Sequence, residues 1–292
     1  MIVTRREGAL SLVEQVEHGR VAGELAAAWG SSRFEVPGPR RSVRLAAARH
    51  DEGWRAWDAR VLFDEVARRP LHFLDIDAGE HIRLYRQGVR RVSLEDVYAG
   101  VLVGMHWSGL YRGRWSAPGA VARLGHGGDD RRRQDRVVTA EERRWIGAKH
   151  EAWTDHEPRS AFETRLWHNY ELLQLWDLPS LYLAVMPQEP GAAAAPLPWG
   201  PQLRDLDHEP QDALLPAVAG RPGEAPTRIT VSVRRHGEAM LDPFPFARPV
   251  EVDLAHTLLP DRGWTRAEAV RRVRTTPAST MTWRLVPPEG PR

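Results

Sequence analysis

Cysteine is missing from all 292 residues. Its absence excludes disulfides, thiolate-bound zinc and thiol catalysis, and leaves imidazole and carboxylate as the ligands for any transition metal. Lysine is nearly missing as well: Lys149 is the only one, so the basic residues are otherwise arginine, a skew that reflects genome composition more than function. No stretch approaches the roughly 18 consecutive apolar residues that a membrane span needs. The N-terminus, Met-Ile-Val-Thr-Arg-Arg-Glu-Gly, lacks the apolar core of a signal peptide, so a cytoplasmic location is expected. The formal charge is only +2. Arg131-Arg132-Arg133 follows Asp129-Asp130 in a Gly-rich stretch and reads as a solvated run, so nucleic-acid binding is not expected. The length allows one large core, or one core with an appendage.

What is present is organised around residues 42–57. Ser42 reads as an N-cap, Leu45 to Ala48 favour helix, and Gly53 stops it. His50 and Asp51 then fall on the last turn, with His50 on the face of Val43, Ala46 and Ala47 and Asp51 at its edge. An imidazole and a carboxylate reaching one point suit a divalent cation with mixed N/O ligands. A solvated His-Asp pair at a helix end is the plainer reading of the same dipeptide.

Other helices bring further candidates. Ser11-Leu-Val-Glu14 has the spacing of a capping box, predicting a helix to about Trp29 closed by Gly30. On it His18 shares a face with Ala22, Leu25 and Trp29 and points to the core, as a satisfied core histidine or as a member of a buried site. Asp77-Ala-Gly-Glu80 predicts a helix to about Arg91 that carries His81 beside Leu84, Tyr85 and Gly88. The stretch from Ser93 to Trp107 is apolar nearly all round and hence a buried helix, with His106 on an inward face. A buried imidazole needs a partner, a carboxylate or a metal. Residues 108–138 show no periodicity and read as a long loop, followed by a helix from Thr139. A helix from Pro158 carries the stripe Phe162, Leu166, Tyr170, Leu173, Asp177, and Pro179 is expected to break or kink it near Leu178. A carboxylate closing an apolar stripe must be paired or coordinated. His168 falls on the opposite face.

From Pro187 to Pro226 nine prolines and the run Ala192 to Ala195 mark a linker or wrapping segment, where limited proteolysis is expected to cut first. Beyond it, residues 229–233, 250–254 and 281–285 alternate as strands do, with residues 2–5 as a further strand. The expected fold is mainly α: a helical bundle over 1–186, the Pro-rich segment 187–226, and a small C-terminal antiparallel β-sheet within 227–292 packed on the bundle.

Ala46 to Trp57, Gly109-Leu-Tyr-Arg-Gly113, His168 to Asp177 and Leu241-Asp-Pro-Phe-Pro-Phe246 together resemble an uncharacterised bacterial family known only as a domain of unknown function (number 3891), over most of the chain. That resemblance implies a fold but no activity. More distantly, the order His18, His50-Asp51, Asp177 is similar to the HD superfamily of metal-dependent phosphohydrolases, in which a lone His, a His-Asp pair and a late helical Asp bind a divalent ion. It implies an HD-like helical bundle in which His18, His50, Asp51 and Asp177 hold such an ion, with His106 an added ligand or phosphate contact. A bound divalent ion lowers the pKa of its water and polarises a phosphoryl oxygen. His106 or His81 would neutralise developing charge, and arginines of 108–138 would clamp phosphate. The expected substrate is a small phosphorylated molecule, a nucleotide or other phosphate ester. Two alternatives stand beside it: a non-catalytic protein whose His and Asp residues form a structural network, and a His/carboxylate metal enzyme of another reaction class.

Overall fold

The computed structural model describes residues 1–6, 8–112, 128–153, 157–186, 188 and 212–289. The chain opens with an antiparallel hairpin, β1 (Ile2–Arg6) and β2 (Ala9–Val13), whose first pair is Ile2 with Val13. Helix α1 (Gln15–Ala28) follows, so Ser11 caps nothing and lies in the middle of β2. The reason is a partner far along the chain: Ser11 pairs with Leu258, and its hydroxyl hydrogen-bonds His256 Nδ1 at 2.9 Å, both on a C-terminal strand. Helix α2 (Arg40–Arg49) starts after Pro39, and Ser42 lies inside it, its hydroxyl donating to Asp96 Oδ2 at 2.7 Å instead of capping. A 3-10 turn (Glu52–Trp54) and the short α3 (Arg55–Asp58) lead to the two-residue strands β3 (Phe63–Asp64) and β4 (Arg69–Pro70).

Helix α4 (Ala78–Glu95) is capped as its sequence predicts, the Asp77 side chain accepting from the backbone N–H of Gly79 and Glu80. The following α5 (Val97–Arg112) begins at Asp96, whose carboxylate accepts from Ala99 N, and is buried on nearly every side. The loop expected over 108–138 is helical at both ends: α5 runs to Arg112 and α6 (Gly128–Ala152) starts eleven residues before Thr139; the stretch between them lies outside the described residues. Helix α7 (Arg159–Val185) continues through Pro179 without ending. The proline removes one hydrogen bond, but Leu175, Trp176, Leu178, Leu181 and Leu183 are all buried around it, so packing holds the helix. Of the Pro-rich segment, residues 187 and 189–211 lie outside the described residues, while β5 (Asp212–Leu214), β6 (Val218–Ala219) and β7 (Pro226–Thr227) are strands.

The rest is β8 (Thr230–Arg235), β9 (Glu238–Asp242), the long β10 (Val250–Pro260), α8 (Arg266–Thr275) and β11 (Ser279–Val286). The expected mainly-α fold, an HD-like bundle with a small antiparallel sheet, is not what forms. Seven strands make one sheet in the order β1-β2-β10-β11-β9-β8-β5. It is mixed, because β11 and β9 run parallel, Leu285 opposite Ala239. It also recruits both N-terminal strands: β10 pairs with β11 over Val250 to His256 and with β2 over Thr257 to Pro260. Alternation shows that a segment is a strand and which face it buries, but not its partner, so the size and direction of the sheet are invisible in the pattern. The larger hydrophobic core among the described residues joins the helices to one face of this sheet, tied by Trp283 Nε1 of β11 donating to the Leu183 carbonyl of α7 at 3.0 Å. A second cluster around Leu10, Leu12, Leu259 and Trp264 packs elsewhere on the N-terminal hairpin. No helix among the described residues is long and apolar enough to cross a membrane.

Candidate metal centre

Four segments meet in the interior at residues 18, 50–51, 106 and 177. Two close helix contacts make the meeting possible. Where α1 crosses α2, a Cβ on Gly23 would come within 2.9 Å of the Ala48 Cα, and one on Gly19 within 3.1 Å of the Ala48 carbonyl oxygen, so only glycine lets the two helices approach this closely. On the other side, a Cβ on Gly53 would land on the Leu84 carbonyl, and one on Gly88 within 2.7 Å of Gly53 N. The turn that carries Asp51 is thereby pressed backbone to backbone against α4.

The result is a cluster of three imidazoles and two carboxylates, each at most 5% exposed. His18 Nε2 lies 3.0 Å from Asp51 Oδ2 and His50 Nε2 lies 3.2 Å from Asp177 Oδ1. His50 Nε2 is also 4.0 Å from Asp51 Oδ2, and His106 Nε2 is 3.8 Å from Asp177 Oδ2. The His50 ring packs edge-on against both His18 and His106, at 5.0 and 5.1 Å between centroids. Donor atoms of His18, His50 and Asp51, and of His50, His106 and Asp177, lie within 4.8 Å of one another in each trio.

Protons on two of the rings are assigned by their outer neighbours. His50 Nδ1 sits 2.8 Å from the Ala47 carbonyl, which can only accept, so Nδ1 carries a proton. The Ser180 hydroxyl donates to the Asp177 carbonyl at 2.6 Å, leaving its oxygen to accept from His18 Nδ1 at 3.0 Å. Both rings therefore turn Nε2 toward carboxylates. A neutral ring would set a lone pair against negative oxygen; either a second proton or a cation must lie there. His50 Nε2 is at ion-pair distance from Asp177 but out of line for a hydrogen bond, and Asp51 Oδ1 and His106 Nδ1 also make none.

Electrostatics repeat the point. Burial acts to lower the His50 pKa, yet the charges of Asp51 and Asp177 outweigh it and hold the imidazolium up to about 9. Burial likewise opposes ionisation of Asp51 and Asp177, and His50 with the neighbouring histidines keeps both below the usual carboxylate range. His106 is pushed down to about 4 by burial and stays neutral. The pocket thus concentrates negative charge around neutral or proton-holding imidazoles.

The residues singled out from sequence as ligands, His18, His50, Asp51 and Asp177, all stand in this cluster, with His106 beside them. His81 does not join them: its Nδ1 lies 2.7 Å from the Tyr111 hydroxyl, its ring packs on Trp54 and Tyr85, and burial lowers its pKa to about 4. His168 is buried elsewhere, near Glu35 and Glu224. Among the described residues, the arginines expected to clamp phosphate are not at the cluster: Arg112 is bound to Asp135, Thr139 and Glu142, and Arg132, Arg133 and Arg136 lie exposed on α6; Arg114, Arg123 and the side chain of Arg131 lie outside the described residues. Sequence reading missed Ser180 and Tyr85. Ser180 follows Asp177 by three, and Tyr85 follows His81 by four, so helical spacing places each on the face of a residue already chosen. Burial and the charges of Asp51 and Asp177 raise the Tyr85 phenol well above its ordinary pKa, so it stays protonated beside them.

The donor set of imidazole nitrogen and carboxylate oxygen, with no thiolate, suits a divalent transition ion. The chain matches no curated protein and no solved structure. Over residues 1–261 it matches the family described as Protein of unknown function (DUF3891), and it belongs to that family.

Proposed function

We propose that this protein is a metal-dependent phosphohydrolase whose divalent ion is held by His18, His50, Asp51 and Asp177, with His106 as a further ligand. The observation that carries the reading is the pair of outer hydrogen bonds. Ala47 O and Ser180 Oγ fix the Nδ1 protons of His50 and His18 and aim both Nε2 atoms at carboxylates. Metal-bound histidines are oriented in this way, by a carbonyl or other acceptor on the far nitrogen. When bound, the ion would supply a nucleophilic water at neutral pH and polarise a phosphoryl oxygen. The chain's own residues do the rest: two carboxylates set the charge that attracts the cation, three imidazoles complete its neighbours, and the protonated Tyr85 phenol is a donor beside them. The order of His, His-Asp and late Asp, similar to that of the HD superfamily, is what favours phosphate esters, nucleotides included, over other substrates.

A second reading is favoured by the depth of the cluster. All five side chains are buried, which also suits a hydrogen-bonded network that specifies packing without catalysis. Metal analysis of the purified full chain separates the two. Retention of one or more divalent ions per chain, lost in Asp51→Ala and Asp177→Asn, supports the metal centre; a metal-free protein in which these changes only lower stability supports the network. Release of phosphate from a panel of nucleotides and sugar phosphates, abolished by the same substitutions, tests the reaction. Tight metal without phosphate release would point to another class of metal enzyme.

A further inference from the structure

Helices α4 and α6 flank an open groove of about 540 Å³ whose lining carries four arginines, Arg86, Arg90, Arg136 and Arg144, against the single carboxylate of Glu141. None of the His/Asp cluster residues lines it. Arg144 is already engaged: it pairs with Glu141 at 2.6 Å and donates to the Ser93 hydroxyl and the Gly100 carbonyl. That pairing leaves three positive charges around one groove. Arg86, Arg90 and Arg136 are exposed and make no ion pair or hydrogen bond among the described residues. Arg86 and Arg90 are four apart on α4, and Arg136 and Arg144 are eight apart on α6, so each helix turns its guanidiniums to the same side. Like charges brought together in this way oppose one another unless an anion lies between them. Between them the surface is apolar, from Val89, Leu94, Val137 and Ala140, and Leu94 is 80% exposed.

We infer that this groove is a binding site for a small molecule bearing two or more phosphates and an apolar portion, of the class of a nucleoside polyphosphate. Guanidinium forks match phosphate oxygens two at a time, and three unpaired forks match a polyphosphate better than a single anion. The volume falls within the roughly 300–1,000 Å³ of small-molecule sites, and the apolar strip between the arginines would take the uncharged part of the ligand. The inference is independent of the metal centre and does not require the protein to be an enzyme.

Titration calorimetry on the full chain, in low salt with chelator so that no divalent ion or turnover intervenes, tests it with pyrophosphate and a nucleoside triphosphate as probes. Saturable one-to-one binding is expected, tighter for the triphosphate than for pyrophosphate and much tighter than for sulfate. Arg90→Gln and Arg136→Gln should each weaken it at least tenfold while leaving the far-ultraviolet circular dichroism and the melting temperature unchanged. Absence of binding, equal affinity for sulfate, or affinity untouched by both substitutions would overturn the inference. So would tighter binding of an oligoglutamate peptide than of the triphosphate, since the groove would then serve an acidic protein segment.

Discussion

His18 and His50 differ from ordinary buried histidines in which nitrogen is already spoken for. Because Ser180 Oγ is the acceptor for His18 Nδ1, Ser180→Ala should leave the fold intact but let the ring turn. Loss of such an outer partner commonly weakens metal binding by about 10–100-fold. Competition with a chromophoric chelator should read that loss; unchanged affinity would show that Ser180 does not orient the ring. Chelator-treated protein should also be most stable near the ordinary imidazole pKa of 6.5. His81 and His106 are depressed to about 4, so between 6.5 and 4 the unfolded chain takes up protons that the folded one refuses, and stability falls as pH drops. His50 is raised to about 9, so its contribution is complete below 6.5 and is lost as pH rises through 9. Melting temperatures recorded from pH 4 to 9 should therefore decline on both sides, and a flat profile would contradict the assigned shifts. At this scale most of the cluster was legible in the sequence. His18, Asp177 and His106 each sit on a helix face that periodicity turns inward, and His50 caps the C-terminal end of α2. Asp51 is an exception of a kind, since it lies just beyond α2, on the turn rather than the helix.

Elements were less legible wherever a distant partner overrode a local signal. Ser11 to Glu14 has the spacing of a capping box, yet pairing with β10 makes it strand; Thr139 to Glu142 has the same spacing, yet lies inside α6. Asp77 to Glu80, with no competing partner, caps α4 as expected. Pro179 is a local breaker overruled by the apolar packing on both sides of it. The contact between Gly53 and Gly88 is equally long-range, and it can be probed directly. In Gly53→Ala the new methyl would meet the Leu84 carbonyl, which belongs to backbone and cannot swing away. The expected cost is that of overpacking, about 1–3 kcal/mol. Because the displaced turn carries Asp51, metal retention should fall together with stability, whereas a stable variant with full metal content would show that the helices can separate freely.

For the molecule as a whole, the sheet and the helices stand or fall together. Trp283 is fully buried in β11 and reaches across the interface to the Leu183 carbonyl on α7. Trp283→Ala removes both the packing and the hydrogen bond and should cost roughly 3–5 kcal/mol. Urea unfolding followed by fluorescence and by circular dichroism should show a single shifted transition; two separate transitions would mean that the helical part is stable without the sheet. The sequence places residues 2–5 as a further strand of a C-terminal sheet packed on the helices, but neither the pairing of β2 with β10 nor the reach of Trp283 to α7 is visible in its alternation. The pairing of β2 with β10 has a consequence for the chain as it is made. Ser11 and His256, in contact across that seam, are 245 residues apart, so a ribosome must deliver α1 to α7 before the N-terminal hairpin finds its neighbour. All five residues of the His/Asp cluster emerge earlier, by Asp177. The hairpin therefore waits with an unpaired edge while the cluster can already assemble, and β10 closes the sheet over a helical layer made before it.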